Sequence, residues 1–104
     1  MRENVVRVNG VDVQTCIEEF TSCNIIECEV GTTGLCGGDT GNGGRTYFRI
    51  TNFASTDMSC KVVEGIYGRA DQIEIMFGGD TELDTFIAAL EFAVERLNDQ
   101  RDRL

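Results

Sequence analysis

"VVRVNGVDVQ", residues 5–14, alternates apolar and polar side chains on both sides of Asn9-Gly10. That dipeptide readily takes the two positive φ values of a tight type I′ turn, so the stretch predicts a β-hairpin. Val6 and Val8 then share a face, and Val11 and Val13 carry a second strand back. Working outward, "TCIEEFTSC" (15–23) fits either an extension of that strand or one helical turn. "IIECEV" (25–30) reads as a strand with Ile26, Cys28 and Val30 inward and Glu27 and Glu29 outward. "TYFRITN" (46–52) alternates again, with Phe48 and Ile50 on one face and Tyr47, Arg49 and Thr51 on the other. "FASTD" and "YGRADQ" read as turns, framing a strand through Met58, Cys60 and Val62, and "IEIMF" (73–77) as a last strand.

After Gly78-Gly79 the periodicity changes. Leu83, Phe86, Ile87, Leu90, Val94 and Leu97 recur at helical spacing and form one apolar face. Asp80 or Thr81 is the expected cap, with Thr81-x-x-Asp84 matching a capping box. Phe92 falls on the back of this helix among small residues and reads as a self-association face, predicting a homodimer or higher oligomer. Together these elements predict an α+β domain, an antiparallel, meander-like sheet with one long C-terminal helix packed on it. The 104 residues form a single domain, 1–104, without repeats or linkers.

Composition narrows the function classes. Eighteen acids against nine bases give a net charge of −9, which repels a polyphosphate backbone and argues against nucleic-acid polymers as partners. The same charge suits a protein that mimics nucleic acid, although the acids are spread along the whole chain. No apolar run reaches the ~20 residues of a membrane span, and "MRENVVRVNG" breaks off too soon for a secretory signal, so the chain reads as cytoplasmic. Five cysteines without a CxxC pair read as reduced thiols, mostly small buried apolar residues, with no metal site. Histidine is absent, which removes the common triads and the commonest neutral-pH base, so the chain reads as non-enzymatic and without a cofactor. The competing enzyme reading rests on Cys36, with Arg45 lowering its pKa.

Function turns on "GTTGLCGGDTGNGGRT", residues 31–46, which holds seven of the twelve glycines. Two readings stand side by side: a long solvated hairpin loop, or a backbone cradle for an anion. No Walker or dinucleotide register fits. The candidate ligand-binding residues are Gly37, Gly38, Asp39, Asn42, Gly43, Gly44, Arg45 and Thr46. Tyr47 and Phe77 are candidates for stacking on a base, and Arg96 for a phosphate. Arg49 and Arg69 read as surface charges balancing nearby acids. The glycine pair Gly78-Gly79 serves first as a turn into the helix. The free amides of that helix end could also meet an anion if the two glycine sites converge across the sheet or between subunits.

"EVGTTGLCGGDTGNGGRTYFRI" (29–50), "STDM" (55–58) and "IEIMFGGDTELDTFIAALEFA" (73–93) resemble the anti-Thoeris proteins of the first described type. These are short phage-encoded sponges for the signalling nucleotide made by bacterial TIR-domain immune proteins. The likeness spans about residues 25–97, with Asn42 standing where histidine is expected. It implies a homo-oligomer that sequesters a glycocyclic ADP-ribose isomer uncleaved and holds cyclic oligonucleotides at separate sites. The alternative is an acidic inhibitor that binds a nucleic-acid-binding defence protein.

Overall fold

Asn9 and Gly10 take φ values of 48° and 81°, closing the hairpin between β1 (Arg2–Val8) and β2 (Val11–Thr21) with Val6 opposite Val13 and Val8 opposite Val11. The computed structural model describes residues 1–38, 43–54, 57–65 and 68–103. The ambiguous 15–23 segment continues β2 as far as Thr21. β3 (Ile25–Thr32) and β4 (Thr46–Ala54) complete an antiparallel sheet in the order β1-β2-β3-β4. β4 therefore runs past Asn52 into the expected turn, and its pairing with β3 shifts register at Ile25/Ile26. β5 (Ser59–Glu64) and β6 (Ala70–Met76) pair with each other in a separate two-stranded sheet, so the meander divides after β4. The chain ends in α1 (Asp80–Arg101).

The two faces of the four-stranded sheet are buried in different ways. Ile26, Cys28 and Val30 of β3 are fully buried beneath Ala89 and Ala93 of α1. The small alanines let the helix axis lie close to β3, and the core is the layer between them. Asn24, buried at the β2–β3 turn, ties the layers together by donating to Thr85 Oγ1 at 2.9 Å. On the other face the sheet curls until β1 and β4 come into contact. Glu27 and Glu29, expected outward, are buried there, with Glu29 only 1% exposed. Glu29 accepts from Thr15 Oγ1 at 2.6 Å, Arg49 Nη2 at 2.7 Å and Asn4 Nδ2 at 3.2 Å, while Glu27 accepts from Arg2 Nη2 at 2.7 Å. The period-2 pattern assigned their face correctly. The missing factor was curvature, which folds the flanking cations over them.

The helix sits rotated from its expected setting. Phe92, expected outward, packs against the core and meets Phe20 edge-on, with ring centroids 5.7 Å apart. Leu83, Ile87, Leu90 and Val94, expected inward, are 41–59% exposed. The apolar arc is wider than one sheet can cover, and the alanine side wins the contact because it permits closer approach. The capping box does not form either. Gly79, at φ 100°, holds the N-cap position with no side-chain cap bond.

Candidate functional site

The glycine run is braced at its base. β3 and β4 end with Thr32 opposite Thr46, their hydroxyls 2.9 Å apart. The ladder then continues one step further, as Thr33 N donates to the Arg45 carbonyl at 3.0 Å and Arg45 N donates to Thr33 Oγ1 at 2.9 Å. Gly34 N donates to Thr32 Oγ1 at 3.1 Å. Inside this closure the two limbs touch. A Cβ on Gly44 would collide with the Gly34 carbonyl oxygen, so glycine at 44 is required by proximity. Gly34 and Gly37 have φ of 84° and 72°, values that favour glycine. What looked like a loop of some fifteen residues is thus a shorter tip on an extended hairpin.

The C-terminal turn of α1 is fastened to this base. Gln100 Oε1 accepts from Thr32 N at 3.0 Å, and its Nε2 donates to the Gln14 carbonyl at 2.9 Å. The space beside Gly34 is bounded by the backbone of Gln100 and Arg101. Between loop and helix lies a cavity of about 290 Å³ lined by Thr32, Gly34, Leu35, Gly44, Thr46, Leu97, Asn98 and Arg101. Leu97 and Leu35 give it apolar walls. Thr32, Thr46, Asn98 and Arg101 are the polar residues of its lining, and Arg101 Nε is 3.2 Å from Asp102 Oδ1. The volume is at the small end of ligand sites, which run from about 300 Å³ upward.

The expected site residues are only partly gathered here. Gly44 and Thr46 line the cavity. Gly37 and Gly38 are exposed beside it in the chain, and Gly43 is half-buried. Asp39 and Asn42 lie outside the described residues. Arg45, expected at the edge of the cradle, turns its Nη1 onto the Gly43 carbonyl at 2.7 Å and braces the loop from within. Tyr47 faces the side of the sheet away from the helix, in register with Gly31. Phe77 packs on Phe86 with centroids 4.6 Å apart, at the opposite end of α1. Phe86 and Arg101, which borders Gly34, are about fifteen helical residues or roughly 22 Å apart, so the two glycine sites do not converge within one protomer. At that helix end the buried Glu82 carboxylate accepts from Gly78 N at 3.3 Å, so an anion already sits beside the glycine pair. Arg96 lies on the other flank of the helix, in a cavity of about 230 Å³ beside β1 and β2, where it pairs with Glu95 at 2.7 Å. Arg49 is engaged by Glu29 and Glu27.

Leu97, Asn98 and Arg101 were missed. Spacing marks Leu97 only as part of the apolar helix face and does not mark Asn98 or Arg101, since only the docking of the last helical turn beside Gly34 brings them to the loop.

The cysteines divide differently from expectation. Only Cys28 is buried, and Cys23, Cys36 and Cys60 are exposed. Burial pushes the Cys28 thiol up to about 11. Cys36 Sγ lies 3.7 Å from the Gly34 carbonyl and 3.9 Å from that of Thr33. Among the described residues no group of three or more metal-ligating side chains occurs, and no helix is long and apolar enough to cross a membrane. No family model, curated protein or solved structure matches the chain.

Proposed function

We propose that the protein is a non-catalytic binding module that holds a small phosphate-bearing nucleotide between the glycine loop and the last turn of α1. The observation that carries this reading is the cavity that Gly34 and Gly44 of the loop line together with Thr32, Thr46, Leu97 and Arg101. The braced loop lowers the ordering cost of binding, because its limbs are already closed on each other. Arg101 takes the part first given to Arg45: a guanidinium can exchange an exposed aspartate for a phosphate and gain a bidentate contact. The resemblance to phage sponge proteins supplies the ligand class, a glycocyclic ADP-ribose isomer or a cyclic oligonucleotide, and the consequence, withdrawal of a signal from bacterial anti-phage immunity. The acidic-mimic reading loses ground because Glu27, Glu29 and Glu82 are turned inward.

The test is thermal unfolding with cyclic ADP-ribose isomers, cyclic di- and trinucleotides and inorganic phosphate, followed by recovery of the ligand after heating. A ligand at 100 times its Kd raises stability by about 2.7 kcal/mol. Arg101→Ala and Gly44→Ala are each expected to remove the shift while leaving the far-UV spectrum intact. No shift with any of these compounds defeats the binding reading, and recovery of a cleaved ligand defeats the non-catalytic one.

A further inference from the structure

We infer that the cavity between β1 and the last turns of α1 is a binding site for a small zwitterion, an α-amino acid with an aliphatic or thioether side chain. The cavity exists because α1 packs over β3 and β2 and leaves β1 uncovered. Glu3 pairs in register with Cys16, and Cys16 with Val30, which lies beneath the helix. Glu3, Val5 and Cys16 therefore share the helix side of the sheet. Arg96, Asp99, Gln100 and Arg103 recur three or four residues apart and form the facing flank of α1. These two walls bound a space of about 230 Å³.

The walls carry opposite charges that do not meet. The Arg96 side chain is only 24% exposed. A guanidinium has five N–H donors, yet among the described residues only Nη2 makes a hydrogen bond, to the exposed Glu95 at 2.7 Å. Asp99 Oδ2 stands 3.9 Å from Arg96 Nη1 and accepts from Arg103 at 2.8 Å instead. Glu3, on the sheet wall, has no hydrogen-bond or ion-pair partner among the described residues. A guanidinium largely withdrawn from water with most of its donors unspent favours an acceptor brought by a ligand.

Charge balance selects that ligand. The four charged side chains of the lining, Glu3, Asp99, Arg96 and Arg103, cancel. A phosphate dianion at Arg96 would face two carboxylates, in a chain whose net charge of −9 repels it further. A single carboxylate on the Arg96 fork, joined to an ammonium that reaches Glu3, keeps the site neutral. The α-carbon of an amino acid carries both groups. Its side chain then meets Val5, which is 55% exposed, and the half-buried Cys16. The volume lies below the ~300 Å³ of ordinary ligand pockets, which suits a ligand of leucine or methionine size.

The test is isothermal titration of the full chain with L-leucine and L-methionine. The comparison compounds are leucinamide, which lacks the carboxylate, 4-methylpentanoate, which lacks the ammonium, and inorganic phosphate. The expected Kd is on the order of 0.1–1 mM for at least one of the two amino acids, and roughly tenfold weaker or worse for leucinamide and 4-methylpentanoate. Phosphate is expected not to displace the amino acid. Arg96→Gln and Glu3→Gln are each expected to weaken binding about tenfold with unchanged far-UV spectra. If the Arg96 variant fails to fold, the Glu3 variant decides. No binding up to ~10 mM amino acid, equal binding of 4-methylpentanoate, displacement by phosphate, or full affinity in Glu3→Gln overturns the proposal. Glu3 and Arg96 do not line the nucleotide cavity, so the two readings fail separately.

Discussion

Phe92 meets Phe20 at 5.7 Å and an interplanar angle of 63°, which fixes the rotation of α1 about its own axis. The pair joins the middle of the helix to the far end of β2, and it turns Leu83, Ile87, Leu90 and Val94 toward solvent in a lone protomer.

Truncation at this contact is expected to act on the fold. Phe92→Ala removes an edge-to-face pair and part of the core, a loss of about 2–3 kcal/mol in urea unfolding. Leu90→Ala, on the exposed flank, is expected to cost well under that in the isolated protomer. Equal losses at the two positions would contradict the observed rotation.

Glu29 is the second sensitive point. Its carboxylate has three donors and almost no solvent. Glu29→Ala leaves Arg49, Asn4 and Thr15 without their shared acceptor; Arg49 is 51% exposed and can turn to water, so the loss is that of buried polar groups left unsatisfied, about 1–3 kcal/mol. Urea unfolding monitored by circular dichroism measures this. A loss below ~1 kcal/mol would mean that water reaches the concave face.

Cys28 supplies a pH signature. Its thiol is raised from about 9 to about 11 by burial, so between those values the folded chain keeps a proton that the unfolded chain has lost. Stability from this group is whole below pH 9 and declines as pH rises toward 11, by about 2–3 kcal/mol at the end. Cys28→Ser removes that slope. At pH 8 a thiol reagent is expected to modify Cys23, Cys36 and Cys60 in the native protein, and Cys28 only after unfolding.

The fold was legible wherever a local rule decides. Asn9-Gly10 gave the hairpin, the alternation in 46–52 gave β4, and the spacing after Gly79 gave the helix. What escaped depended on which surfaces meet. Periodicity finds an apolar arc on α1 but does not say which part of it the sheet selects, and here close packing at Ala89 and Ala93 overrode hydrophobic bulk. Alternation likewise assigned Glu27 and Glu29 to the face away from the helix, but sheet curl set their burial. At the site, Gly44 and Thr46 were legible from the glycine run. Arg101 was not, because its proximity to Gly34 comes from tertiary docking across more than sixty residues of chain.

Gln100 bridges two strands with one side chain, accepting from Thr32 at the end of β3 and donating to the main chain of Gln14 in β2. The final helical turn is thereby a clasp on the mouth of the glycine hairpin. Fraying of that turn would be felt at Thr32 before it reached the hydrophobic layer, so the end of the helix and the glycine tip behave as a single mechanical part.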